Sequence, residues 1–134
     1  MKSITTFLMF VGEQAGKAEE AITFYTSLFR NSEIVSIQRY GADENEPEGS
    51  VKAAKFTLNG VEHMAIDSHV EHQFTFTPAI SLFVECESME ELEEVHQALT
   101  GQGSELMPLN NYGFSKKFSW VSDRYGVSWQ LNLA

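Results

Sequence analysis

His63, Asp67, His69 and His72 are the densest group of metal-capable side chains in the sequence. Imidazole and carboxylate groups bind divalent ions, but a working pair needs a rigid element to fix its geometry. Three of the four fall at or beyond the end of an expected strand, so the group reads as solvated loop residues. Cys86, the single cysteine, lies between Glu85 and Glu87. Neighbouring carboxylates raise a thiol pKa and suppress the nucleophilic thiolate. Cys86 therefore reads as a structural thiol, on the helix-covered face with Ile80, Leu82 and Val84. The last apolar run is more informative, because Val127, Trp129, Leu131 and Leu133 alternate with Ser128, Gln130 and Asn132. Successive strand side chains point to opposite faces. If the apolar set packs on a helix, the hydroxyl and amide groups face either a cavity or solvent. The same alternation sends Thr5, Phe7 and Met9, and then Ala79, Ser81 and Phe83, toward that cavity. Phe118 and Trp120 share a face of the preceding strand and either line the cavity or fill the core. Aromatic walls with a few hydroxyl and amide groups suit a small organic molecule.

Composition narrows the partners. The 134 residues are 43% hydrophobic and 21% charged, as in an ordinary globular domain. One cysteine permits no intrachain disulfide and no cysteine-rich zinc site, which points to a reducing, cytoplasmic setting. The residues from Met1 run into an apolar stretch too short for a signal-peptide core or a membrane span, so no membrane partner is expected. A formal net charge of -10 opposes a phosphate backbone, and the nine Lys and Arg residues form no dense basic run. Nucleic acid is not an expected partner. The Lys116-Lys117 pair is a local exception to the acidic average.

The elements that must position these groups follow from periodicity. Ile4 to Val11 reads as a strand, and Ala18, Ala21, Ile22, Tyr25, Leu28 and Phe29 recur at helical spacing. Glu33 to Tyr40 is a strand and Gly41 to Gly49 a loop. Val51 to Leu58 and Val61 to Asp67 flank Asn59-Gly60, a strong hairpin signal. After a polar loop, Ala79 to Glu85 reads as a strand. Ser88-Met89-Glu90-Glu91 is a capping box opening a helix that buries Met89, Leu92, Val95 and Leu99. Ser104 to Met107 is a short strand and Pro108 to Ser115 a loop. Lys117 to Val121 and Val127 to Leu133 complete the order strand, helix, strand, strand, strand, which occurs twice: residues 1-72 and 73-134 of a single domain. Phe7-Leu8-Met9-Phe10 answers Ser81-Leu82-Phe83-Val84, Ala18-Glu19-Glu20-Ala21 answers Met89-Glu90-Glu91-Leu92, and Asn59-Gly60 answers Tyr125-Gly126. The fold class is α+β: two βαβββ modules forming a curved, barrel-like sheet with helices outside, and the shared concavity is the expected ligand site.

The stretches Ile4 to Phe10, Ala18 to Tyr25, Phe56 to Gly60, Ala79 to Cys86 and Asp123 to Gln130 resemble the PhnB-like branch of the vicinal oxygen chelate superfamily. That superfamily includes glyoxalase I, extradiol dioxygenases and bleomycin-resistance proteins, and the branch carries the name 3-demethylubiquinone-9 3-methyltransferase domain. Its metal enzymes place His or Gln on the first strand of each module and Glu on the last. Carried over by position, those places are Thr5, Met64, Ala79 and Gln130. Methyl, thioether, hydroxyl and neutral amide groups would not compensate a hard ion for its lost water, so no metal is expected there. The nine glycines show no Gly-rich loop between a strand and a helix, so no dinucleotide or methyl-donor cofactor is expected either.

The resulting expectation is a protein that holds an unidentified small organic molecule, without metal or cofactor, using Thr5, Phe7, Met64, Ser81, Phe83, Trp120, Ser128 and Gln130. No catalytic residue is assigned. A metal-independent lyase, isomerase or methyltransferase, with Gln130 and Ser81 holding substrate, and a structural dimerisation module are the alternatives. The superfamily resemblance also implies a homodimer, and Phe74, Phe76 and Pro78 give the connection between modules an aromatic-rich surface that either meets a partner or folds back.

Overall fold

The computed structural model describes residues 1–134. The chain divides into two compact units, Met1–Thr75 and Phe76–Ala134, and each holds one copy of the repeated pattern. In the first, β1 (Thr6–Phe10) leads through a single 3-10 turn into α1 (Ala18–Leu28), followed by β2 (Glu33–Arg39), β3 (Val51–Leu58) and β4 (Val61–Asp67). In the second, β5 (Ser81–Glu85) leads into α2 (Met89–Thr100), followed by β6 (Ser104–Asn110), β7 (Lys117–Ser122) and β8 (Ser128–Leu133). The ladders form two separate four-stranded sheets, ordered β1-β4-β3-β2 and β5-β8-β7-β6. In each, the first strand runs parallel to the last while the other pairs are antiparallel.

One face of each sheet is covered by its own helix. Ala18, Ala21, Ile22 and Tyr25 of α1 are buried together with Leu8, Phe10, Ala54, Phe56 and Ala65. The register places those strand residues on one face, since Leu8 pairs with Ala65 and Ala65 with Ala54. In the second unit Leu92, Val95 and Leu99 of α2 are buried, as are Val121, Trp129 and Leu131. The opposite face of each sheet carries the alternate residues, and these are the ones with candidate chemistry.

The helices begin in different ways. Ser88 accepts from the Glu91 amide at 3.1 Å and Glu91 accepts from the Glu87 amide at 2.8 Å, so the expected capping box opens α2. Lys17, ahead of α1, supplies no side-chain cap. Instead Asp67 Oδ1 accepts from Gly16 and Ala18 at 2.8 and 3.0 Å, and Oδ2 from Val51 at 2.8 Å. One buried carboxylate thus ties the start of α1 to the start of β3.

Several boundaries differ from expectation. Ile4 and Ile80 are 88% and 80% exposed. The ladders start at Thr6 opposite His63 and at Ser81 opposite Ser128, so neither isoleucine has a strand to pair with. Ile80 therefore does not join Leu82, Val84 and Cys86 beneath α2. Strand β6 runs on to Asn110 through Pro108. This is tolerated because β6 is an edge strand with two register shifts, where a missing N–H costs little. Met89 is only half-buried. The two hairpins also differ in kind. Asn59 and Gly60 have φ of 50 and 78, a two-residue turn of the primed class. The second hairpin spans Asp123 to Gly126 and closes by a 3.0 Å bond from the Gly126 amide to the Asp123 carbonyl. No helix of the chain is long and apolar enough to cross a membrane.

Candidate functional site

The face of the second sheet turned away from α2 brings together five of the expected site residues. Ser81 lies opposite Ser128, Phe83 opposite Gln130, and Trp120 opposite Gln130 from the other side. A hydrogen-bond chain joins four of them, all but Phe83. The Trp120 indole, which only donates, gives its proton to Ser128 Oγ at 2.8 Å. Ser128 Oγ lies 2.7 Å from Ser81 Oγ, and Gln130 Nε2 donates to Ser81 Oγ at 3.3 Å. Either serine can donate in this contact; with Ser128 as the donor, Ser81 accepts twice and its own O–H donates outward. The Gln130 amide oxygen accepts nothing from the chain. The face therefore presents the Ser81 hydroxyl and the Gln130 amide oxygen side by side, next to a Phe83 ring that is 56% exposed. Trp120, half-buried, belongs to this face and not to the core beneath the helix. Phe118 on the same face is buried, through edge contacts with Tyr112 and Phe114 at ring separations of 6.1 and 5.1 Å.

The first module presents a different surface. Phe7 pairs with Met64, which pairs with Lys55, on the face away from α1. Phe7 is 52% exposed, Met64 is half-buried, and Thr5 precedes the first ladder position. No hydroxyl-amide chain runs across these residues. Ala79 lies in an exposed turn ahead of β5.

The His and Asp group is dispersed. His63 and Asp67 are buried, not solvated, because β4 continues to Asp67 and both point toward α1. His63 donates from Nδ1 to the Val61 carbonyl at 3.0 Å and stacks on Phe56. His69 is exposed beside Glu46 at 3.2 Å, and His72 meets Ser68 Oγ at 3.0 Å. Cys86 is buried, and burial, then the charges of Glu91 and Glu85, push its thiol up to about 11. A Ser-His-Glu array that the periodicity did not single out lies under α2: His96 Nδ1 is 3.0 Å from Ser119 Oγ, and Nε2 is 3.0 Å from Glu105. Ser119 is fully buried, which denies a substrate access to its oxygen and makes the array a support for packing.

The residues at the inherited metal positions do not fit a metal ion. Thr5, Met64, Ala79 and Gln130 offer no imidazole or carboxylate, and no three His, Cys, Asp or Glu side chains converge anywhere in the chain. Gly12 and Gly16 do lie between β1 and α1, where a strand-to-helix loop would seat the anionic part of a nucleotide-like donor. The amides of Gly16 and Ala18 are already taken by Asp67.

A family model described as 3-demethylubiquinone-9 3-methyltransferase matches residues 2–132. A PhnB protein from Bacillus cereus is 60% identical, with a TM-score of 0.94 over 99% of this chain and 100% of that one. Protein PA1353 from Pseudomonas aeruginosa is 24% identical with a TM-score of 0.79 over 98% of both chains. The fosfomycin resistance protein FosX from Listeria monocytogenes is 12% identical with a TM-score of 0.61 over 100% of this chain and 95% of its own. The latter two share the fold. No curated protein matches the chain. Two βαβββ modules, a family match over nearly every residue and a full-length relative of high identity together mean that this chain belongs to the PhnB-like, 3-demethylubiquinone-9 3-methyltransferase family.

Proposed function

We propose that this protein binds a small organic molecule without a metal ion, and that the open face of the second sheet supplies its polar contacts. The observation that carries this reading is the Trp120–Ser128–Ser81–Gln130 chain, which holds a hydroxyl group and an amide acceptor in fixed relation beside an exposed aromatic ring. Interior polar chains of this kind are costly unless satisfied, so a pair of half-satisfied groups on an open face suits a ligand that completes them. A screen of small neutral and charged aromatic compounds by ligand-observed NMR tests the reading. Binding that Gln130→Ala or Ser81→Ala weakens by about tenfold or more supports it, and binding unaffected by either change contradicts it.

The protein is also proposed to act as a homodimer. Exposed Phe74 and Phe114 and the unpaired edges of two open sheets favour self-association. Sedimentation at micromolar concentration should give twice the mass of one chain, and a monomer throughout that range would remove the dimer.

A further inference from the structure

We infer that the ligand carried on the second sheet is a planar organic cation of the amidinium or guanidinium type, with Glu85 as its counter-ion. The inference rests on the binding reading above and adds the chemical class of the guest. Glu85 follows Ser81 and Phe83 at two-residue spacing and lies opposite Asn132, which in turn lies opposite Phe118. It is exposed and forms no ion pair, and it is the one charged side chain that the strands place on this face.

Its orientation is set by its neighbour. Asn132 Nδ2 donates to both Glu85 oxygens, at 3.0 and 3.2 Å. That fixes the amide, because the flipped form would turn Oδ1 toward a carboxylate. Asn132 is 9% exposed, and its Oδ1 is buried with no hydrogen-bond partner. An acceptor buried without a donor is destabilising. Along one face the groups open to a guest are thus two acceptors with capacity to spare, Gln130 Oε1 and the Glu85 carboxylate, beside the Ser81 hydroxyl. A guest that matches this inventory is rich in N–H donors and positively charged.

The surroundings favour a flat cation over a compact one. Phe83, at 56% exposure, offers a ring face two residues from the carboxylate. Aromatic rings attract cations through their quadrupole, and an amidinium both stacks on a ring and forks onto a carboxylate with two parallel N–H bonds. The chain's net charge of -10 also raises the local concentration of cations.

The test compares three compounds of one shape: benzamidine, benzamide and benzoate, each titrated into the full chain by isothermal calorimetry and NMR. Benzamidine should bind at least about tenfold more tightly than benzamide, with benzoate weakest. Glu85→Gln, which keeps an acceptor for Asn132 Nδ2, should erase that preference. Phe83→Leu should weaken benzamidine several-fold and keep the preference, with melting curves showing both variants folded. Benzamide or benzoate binding this face as well as benzamidine would overturn the cation and leave the binding reading standing. Benzamidine binding equally to wild type and Glu85→Gln would also overturn it. Failure of all three probes overturns the cation, and failure of the wider screen as well removes the binding reading with it.

Discussion

Trp120 and Trp129 stand on opposite faces of one sheet and are held by different partners. The Trp120 indole donates to Ser128 Oγ at 2.8 Å on the open face, and the Trp129 indole donates to Asp123 Oδ2 at 2.9 Å on the face beneath α2. The β7–β8 register sets this, because Trp120 pairs with Gln130 and Val121 with Trp129. A strand that alternates so regularly has a packed side and a presenting side, and the two sides should answer differently to mutation.

Trp129→Ala should cost about 3–5 kcal/mol of stability, since it empties a fully buried site and strips a donor from Asp123. Gln130→Ala, on the half-buried polar side, should cost under about 1 kcal/mol. Urea unfolding of the two variants provides the comparison. Equal losses would mean that the faces are assigned the wrong way round.

Asp67→Ala should destabilise the protein by roughly 3 kcal/mol or more, because three backbone amides of Gly16, Ala18 and Val51 lose their acceptor. Asp67→Asn, which retains one acceptor oxygen, should cost less. Hydrogen exchange at the Gly16 and Ala18 amides should accelerate in the alanine variant while α2 stays protected. Unchanged exchange there would show that α1 needs no such cap.

Asp67 also marks what periodicity can and cannot reveal. The capping box of α2 is local, four consecutive residues long, so its letters announce it. The cap of α1 comes from a strand end 49 residues away from Ala18, and no local pattern connects the two. The same distinction holds for the site. Alternation put Ser81, Ser128 and Gln130 on one face, because strand side chains have a period of two. It gave no sign that Trp120 lies across from Gln130, which depends on the register of a neighbouring strand. Glu85 shares the spacing of Ser81 and Phe83 and was legible in principle. Alternation does not show the Asn132 amide that holds its carboxylate, which depends on the β5–β8 register.

Cys86 should resist alkylation in the folded state. Its thiol is raised from 9.0 to about 11 chiefly by burial, with Glu91 and Glu85 adding to the effect. The unfolded chain therefore releases this proton first. Stability from this group is complete below pH 9.0, falls as pH rises toward about 11, and changes little beyond. Cys86→Ala should remove that part of the pH dependence. Rapid reaction of the native protein with iodoacetamide at pH 8 would contradict the burial.

His96 and Ser119 should be coupled by about 1 kcal/mol in a double-mutant cycle, because the hydroxyl is fully buried and the imidazole is its partner. His96→Ala alone should destabilise more in wild type than in a Ser119→Ala background. Additive losses would show that the contact contributes nothing.

The central claim is that ligand is held on the open face of the second sheet, and the two tryptophans of the sequence make it directly measurable. An NMR spectrum of the indole N–H region should contain one signal from each face. Titration with benzamidine should shift the Trp120 signal in a saturable manner and leave the Trp129 signal, locked to Asp123 beneath α2, in place. Movement of Trp129 alone, or of neither signal with benzamidine or any compound of the wider screen, would contradict the account.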